Sequence, residues 1–290
     1  MKIIKSPRIL NKIVQDQRRK GKVIGFVPTM GALHQGHLAL VKKALKETDF
    51  VVVSIFVNPL QFGENEDFNK YIRTFEQDKK LLSSLKVDLV FYPNASDIYS
   101  QGFSTIVSEN YLSKSLCGKY RKGHFQGVTT VVAKLFNIVS PDIAYFGRKD
   151  YQQFLVIRRI VRDLNFDLKL KMVKLIRDKD GLALSSRNKY LSSKQRIGAR
   201  VIYDSLVKAK ELLLKGKKDV NLIKSIIRKT IKQNSNSRVN YIELVDAEDL
   251  KSISEIKKDF LIAIAVYFGD TRLIDNMLVK YKRGKFSFYL

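Results

Sequence analysis

Two of the three histidines in this 290-residue chain, His34 and His37, lie three residues apart. They end the run Val27-Pro-Thr-Met-Gly-Ala-Leu-His-Gln-Gly-His37, between an apolar segment and a helix-like one. Gly31 and Gly36 permit tight turns and let backbone approach a ligand closely. At a helix entrance the free backbone N–H groups and the positive dipole end favour phosphate. Imidazoles donating to that phosphate would offset charge developing in a phosphoryl-type transfer, where catalysis is mostly positioning and electrostatics. A pair of histidines that merely cap a helix is the plainer reading. Zinc would need a well-spaced third ligand, and no cysteine lies nearby. The third histidine, His124, sits in another Gly-flanked loop.

Three further segments carry polar groups where apolar runs end. In Ser54-Ile-Phe-Val-Asn-Pro-Leu-Gln-Phe62, Asn58 and Gln61 could hydrogen-bond a hydroxyl or carboxylate in a mostly dry pocket. Asn-Pro is also a common turn starter. In Asp142-Ile-Ala-Tyr-Phe-Gly-Arg-Lys-Asp-Tyr-Gln-Gln153, Lys149 would be a compact cation for an anionic transition state and Asp150 an N-cap. Gln153 would point from the first helical turn toward the same pocket, although an ordinary strand-to-helix turn reads the same way. In Arg177-Asp-Lys-Asp-Gly-Leu-Ala-Leu-Ser-Ser-Arg-Asn188, two hydroxyls and a guanidinium suit a mobile loop wrapping triphosphate oxygens, or else a polar surface loop.

These segments need a scaffold, and the pattern supplies one. Residues 22–29, 49–57, 88–92 and 142–146 read as strands, and 37–47, 73–85, 127–139 and 151–163 as helices. Strand–helix alternation argues an α/β fold: a Rossmann-like parallel sheet with helices on both faces and ligands beyond the strands' carboxyl ends. After residue 176 the rhythm changes. Helices at 193–215 and 220–233 precede strands at 239–245 and 261–268, predicting a smaller C-terminal α+β domain. The division is 1–175 for a catalytic domain and 176–290 for a lid whose closure would position nucleotide.

Composition narrows the function classes. Apolar residues at 45% and charged residues at 28% argue for a packed core rather than disorder. No apolar run approaches the roughly 18 residues of a membrane helix, and no membrane partner is expected. The charged start lacks the apolar centre of a signal peptide. A single cysteine, Cys117, excludes an internal disulfide framework and fits a cytoplasmic protein. Fifty-four Lys+Arg against 28 Asp+Glu give a net charge of +26. The lysines are spread from Lys2 to Lys285 without a block, which reads as a solvated basic surface and not as a specific nucleic-acid site.

Together the four segments resemble the pantoate–β-alanine ligases (pantothenate synthetases), in order and spacing, across nearly the whole chain. The His-x-Gly-His element alone indicates only the wider superfamily of nucleotidylyltransferases and class I aminoacyl-tRNA synthetases. The Phe-Val-Asn-Pro-Leu-Gln-Phe and Lys-Asp-Tyr-Gln-Gln segments make the narrower match specific. The resemblance implies a two-step ligation: pantoate carboxylate attacks the α-phosphorus of ATP, releasing pyrophosphate, and β-alanine then attacks the pantoyl adenylate, giving pantothenate and AMP. It also implies ATP contacts at Met30, Gly31, Ala32, Leu33, His34, Gln35, Gly36 and His37, with His37 as proton donor and His34 beside it. Gly147, Arg148, Lys149 and Asp150, Ile176, and Leu184, Ser185, Ser186 and Arg187 would complete the ATP site, Lys149 serving catalysis. Gln61 and Gln153 would hold pantoate, with Gln61 also serving β-alanine and Asn58 nearby. Asp78 would stand near Mg²⁺, and the protein would be a homodimer.

The sequence departs from the family pattern at Ile72 and Lys122, where proline is frequent, at Gln126, where arginine is common, and at Arg148, where glutamate is frequent. None of these, Arg148 apart, is given a chemical role. Two other readings stay open. A nucleotidylyltransferase acting on a phosphate ester would use the histidines but has no need of Asn58, Gln61 and Gln153. An RNA-binding protein would need clustered aromatics and arginines in a known module, and the sequence has none.

Overall fold

The apolar run at 50–55 is buried at every residue, as a strand covered on both faces must be. It forms the centre of a parallel sheet in the computed structural model, which describes residues 1–64 and 66–290. Contacts divide the chain into two units, Met1–Lys174 and Leu175–Leu290.

Among the described residues the first unit runs β1 (Lys2–Ile4), α1 (Pro7–Arg19), β2 (Ile24–Thr29), α2 (Gln35–Glu47), β3 (Phe50–Ile55), α3 (Phe75–Ser84) and β4 (Leu89–Phe91). It continues with α4 (Ala95–Ile98), α5 (Leu116–Tyr120), α6 (His124–Val139), β5 (Ile143–Gly147), α7 (Tyr151–Asp163) and β6 (Lys169–Val173). The strand order is β1-β4-β3-β2-β5-β6, and every pair is parallel. Alternation along each strand splits the core in two. Val27, Val51, Val53, Val90 and Tyr145 pack with Leu40, Val41 and Ala44 of α2 and Leu82 of α3. Phe26 and Phe146 point the other way and meet Phe136 of α6 edge-on, at centroid separations of 6.4 Å each. Helices therefore cover both faces, and each buried branched or aromatic side chain contributes about 1.5–3 kcal/mol.

Several elements differ from the sequence expectation. β1 and α1 went unread; α1 is capped by the Ser6 hydroxyl at 3.4 Å, has Pro7 in its first turn, and buries Leu10 and Val14 on an otherwise polar surface. α6 begins at His124, one turn before the expected residue 127, so His124 is helical and not in a loop. β6 is an edge strand with alternating exposure, which leaves little apolar signal.

The second unit holds α8 (Ser193–Gly198), α9 (Val201–Leu214), α10 (Val220–Lys232), β7 (Ser237–Asp246), β8 (Phe260–Phe268), β9 (Thr271–Lys282) and β10 (Lys285–Tyr289). Its antiparallel sheet has the order β10-β9-β8-β7. The expected helix at 193–215 is broken after Gly198, where a Cβ would come within 2.0 Å of the Asn234 amide nitrogen. The unit's core joins Ile202, Leu206, Ile223 and Ile227 from the helices to Ile262, Ile264 and Val266 from β8. Among the described residues no helix is long and apolar enough to cross a membrane.

Candidate active site

From β2 the chain steps to β3 and β4 on one side, then returns to β5 on the other side of β2. At such a reversal the loops leaving the strands diverge and open a crevice at the carboxyl ends. Three of the four segments leave β2, β3 and β5 there, so the strand order brings the histidines, the carboxamides and Lys149 to one end of the sheet.

The β2–α2 turn is shaped by left-handed backbone at Gly31 (φ 80°) and Ala32 (φ 49°). Asp78, 1% exposed, holds it: one carboxylate oxygen accepts the Ala32 N–H and the other the Leu33 N–H, both at 2.9 Å. The Thr74 hydroxyl adds a third contact at 3.3 Å. Asp78, expected near Mg²⁺, thus has each oxygen on a backbone donor of the turn. No group of three or more His, Cys, Asp or Glu able to hold a metal occurs among the described residues.

His34 is the N-cap of α2, and the two histidines cap each other. The Gly36 N–H donates to His34 Nδ1 at 3.1 Å, and the His34 N–H donates to His37 Nδ1 at 3.4 Å. A backbone N–H can only donate, so each Nδ1 accepts and each neutral ring carries its proton on Nε2. Capping and chemistry thus coexist: the cap uses Nδ1 and puts the ring proton of each histidine on Nε2. The rings lie 4.1 Å apart between centroids, tilted by 34°. A Cβ on Gly36 would stand 2.8 Å from the His34 ring, so only glycine keeps this ring in place. Desolvation first, and the Lys149 ammonium second, lower the His37 pKa from 6.5 to about 4. His37 is half-buried, and a pKa of about 4 keeps its ring neutral at physiological pH, with Lys149 inside its electrostatic reach.

Lys149 belongs to a 3₁₀ turn, Arg148–Asp150, at the end of β5, with its ammonium 3.6 Å from the Asp150 carboxylate. Asp150 occupies the N-cap of α7 but makes no side-chain cap bond, contrary to the expected capping role. Gly147 has open space where a Cβ would be, and the neighbouring Arg148 is buried. Gln153 is half-buried in the first turn of α7.

After β3 the 3₁₀ turn Pro59–Gln61 is governed by Asn58, which is 1% exposed. Its amide donates to the Gly127 carbonyl at 3.0 Å and to Gln61 Oε1 at 3.2 Å; its oxygen accepts from the Tyr99 hydroxyl at 2.7 Å. Asn58 is thus a hub that holds Gln61, with its own polar atoms already engaged. Gln61 Nε2 in turn rests on the Met30 thioether.

Ile176 and Leu184–Arg187 lie in the second unit, apart in the chain from these residues. The Leu184 N–H donates to the Ile176 carbonyl at 3.1 Å, and Arg177 pairs with Ala183, closing a short hairpin. Arg177 anchors it through two bonds to the Asp275 carboxylate, at 2.6 and 3.0 Å. Arg196 clasps Asp178 and Asp180 at 2.6 and 2.7 Å. Ser185 caps the 3₁₀ turn Ser186–Tyr190. Sequence reasoning missed these clasps, whose partners lie 16 to 98 residues away. It also missed Arg121, which meets both Glu66 and His124.

Comparison with known proteins identifies the family. The profile of the pantoate-beta-alanine ligase family matches residues 2–278. A pantothenate synthetase from Thermosipho africanus is 53% identical over 279 residues, 96% of this chain and all of the relative. A pantothenate synthetase structure from Thermus thermophilus superimposes with a TM-score of 0.91 at 43% identity, covering 95% of this chain and 98% of that one. A pantoate-beta-alanine ligase from Francisella tularensis, solved in complex with beta-gamma ATP and beta-alanine, gives 0.79 at 36% identity, covering 96% and 97%. By sequence along nearly its full length and by fold, this chain belongs to the pantoate–β-alanine ligase family.

Proposed function

We propose that this protein condenses pantoate with β-alanine at the expense of ATP, through a pantoyl adenylate, releasing pyrophosphate and then AMP. Family membership supports the overall reaction. The observation that best supports it is the Nε2–H of His37 beside that of His34 at a helix entrance, with the Lys149 ammonium acting on the His37 ring.

Adenylation turns a carboxylate, with its poor oxide leaving group, into an acyl phosphate that an amine can attack. The chain's part is to neutralise the triphosphate while in-line attack proceeds. In the proposal, Met30–His37 and Gly147–Asp150 contact ATP, and His37 donates its Nε2 proton toward phosphate oxygen as charge builds, with His34 and Lys149 assisting. Neutral imidazole is the donor in the free site; where bound phosphate draws the ring toward imidazolium, the second proton goes to Nδ1 in place of the long cap bond from the His34 N–H. Gln61 and Gln153 supply carboxamides for pantoate, and Gln61 later faces β-alanine. Ile176 and Leu184 are assigned to the nucleotide on the family resemblance, and Ser185, Ser186 and Arg187 on that resemblance together with the chemistry of two hydroxyls and a guanidinium. Mg²⁺ travels with the nucleotide on phosphates and water, which need few protein ligands. The kinship also supports a cytoplasmic homodimer, to be checked by sedimentation.

The test is product analysis with ATP, Mg²⁺, D-pantoate and β-alanine. AMP and pyrophosphate should appear in step with pantothenate. ADP and phosphate would overturn the adenylate route, and pyrophosphate without free AMP would point to a nucleotidylyltransferase. His37→Ala should lose both pyrophosphate exchange and ligation.

A further inference from the structure

The reaction above leaves His124 unused, yet this histidine is tied directly to Gln61. His124 opens α6 and is 8% exposed. Its Nδ1 lies 2.9 Å from the Gln61 backbone carbonyl oxygen, and its Nε2 lies 2.9 Å from Arg121 Nη1. A guanidinium has donors only, so Nε2 must accept and the ring proton must sit on Nδ1, donating to the Gln61 carbonyl. This is the opposite tautomer to that of His34 and His37. Arg121 is itself fixed: Nε and Nη2 meet the two carboxylate oxygens of Glu66 at 2.7 and 2.5 Å. That fork geometry leaves Nη1 aimed at the imidazole, and Nη2 also reaches the Gln61 carbonyl at 3.5 Å. One turn further along α6, a Cβ on Gly127 would stand 2.1 Å from the Leu60 carbonyl oxygen, so the helix start is pressed against the Pro59–Gln61 turn.

We infer that His124 and Arg121 are positioning residues for Gln61. They hold its backbone from one side while Asn58 holds its carboxamide from the other, and so set where that carboxamide meets pantoate. This rests on the proposal that Gln61 contacts substrate. Neither residue touches a reacting atom.

The test compares His124→Gln, His124→Asn, Gln61→Ala and the His124→Gln/Gln61→Ala pair by steady-state AMP formation, varying pantoate and ATP separately, with melting curves for each. Asparagine keeps an N–H near the Nδ1 position and glutamine does not. His124→Gln should lower kcat/KM for pantoate about tenfold, the range expected for one lost buried hydrogen bond, with KM for ATP nearly unchanged. His124→Asn should retain most activity. In the Gln61→Ala background the His124→Gln change should cost almost nothing further, because the two residues act as one unit. Equal impairment of the asparagine and glutamine variants, a parallel rise in the KM for ATP, or additive losses would overturn the inference. If His124→Gln does not fold, Arg121→Gln serves, with the same pantoate-selective loss expected. Normal pantoate kinetics in Gln61→Ala would overturn the substrate reading itself. An impaired Gln61→Ala beside an unimpaired His124→Gln would overturn the positioning role alone.

Discussion

ATP should bring a proton with it at mildly acidic pH. In the ligand-free chain the His37 pKa lies near 4 instead of 6.5, held down by desolvation and then by the Lys149 ammonium. A triphosphate beside the ring reverses both causes, replacing lost solvation with anionic oxygens and offsetting the ammonium. If binding only restores the ordinary 6.5, the full coupling is about 3 kcal/mol, of which a factor of roughly a hundred in affinity appears between neutral pH and pH 4. At pH 5.5 the free ring is almost wholly neutral and the bound ring mostly charged, so about 0.9 proton is taken up per ATP. The γ-phosphate titrates in the same range, and the quantity to read is therefore the difference between wild type and His37→Gln. Calorimetric titration at pH 5.5 in buffers of unlike ionisation enthalpy gives that difference directly. Equal proton uptake by the two proteins would refute the reasoning and separate His37 from the phosphates. The same shift makes acid costly to the free chain: from pH 6.5 down to 4 the unfolded state binds a proton the folded ring refuses, so stability falls as pH drops.

Other substitutions test the supporting geometry. Gly36→Ala should change stability by no more than about 1 kcal/mol, helix propensity offsetting the clash, yet lower kcat/KM for ATP about tenfold by displacing the His34 ring. Asp78→Ala strands two buried N–H groups and should cost roughly 3 kcal/mol or more in denaturant unfolding, with Asp78→Asn costing less. Arg177→Ala leaves the Asp275 carboxylate, 3% exposed, without its counter-ion and should cost about 3–5 kcal/mol. Pairing Arg177→Met with Asp275→Leu should recover most of that loss. Gln153→Ala should leave the melting temperature within about 1 °C of wild type while raising KM for pantoate in the AMP assay.

Much of the site could be read locally because strand, turn and helix entrance are short-range patterns. The continuous apolar run at 50–55 and the Gly-bounded histidine pair needed only neighbouring residues to be recognised. The unread elements lacked such a signal. β6 alternates as an edge strand, and α1 shows its sandwiched Leu10 and Val14 only once a sheet is present to cover them. β9 buries Asp275 and Asn276, polar residues that argue against a strand interior until Arg177 is seen facing Asp275. Gly198, with no proline beside it, gave no warning that the helix breaks after it or that Asn234 leaves no room there for a side chain.

The chain by itself determined the α/β fold class and, through four segments that resemble one family, the expected reaction, because residue type and spacing within each strand-to-helix turn are local patterns. What it left to the tertiary structure were the relations between turns: which imidazole nitrogen keeps its proton, which carboxylate braces the β2–α2 turn 46 residues away, and which histidine steadies a glutamine 63 residues distant. Those follow from strand order and parallel register, and a hydrogen bond's direction is settled only when both partners are in place.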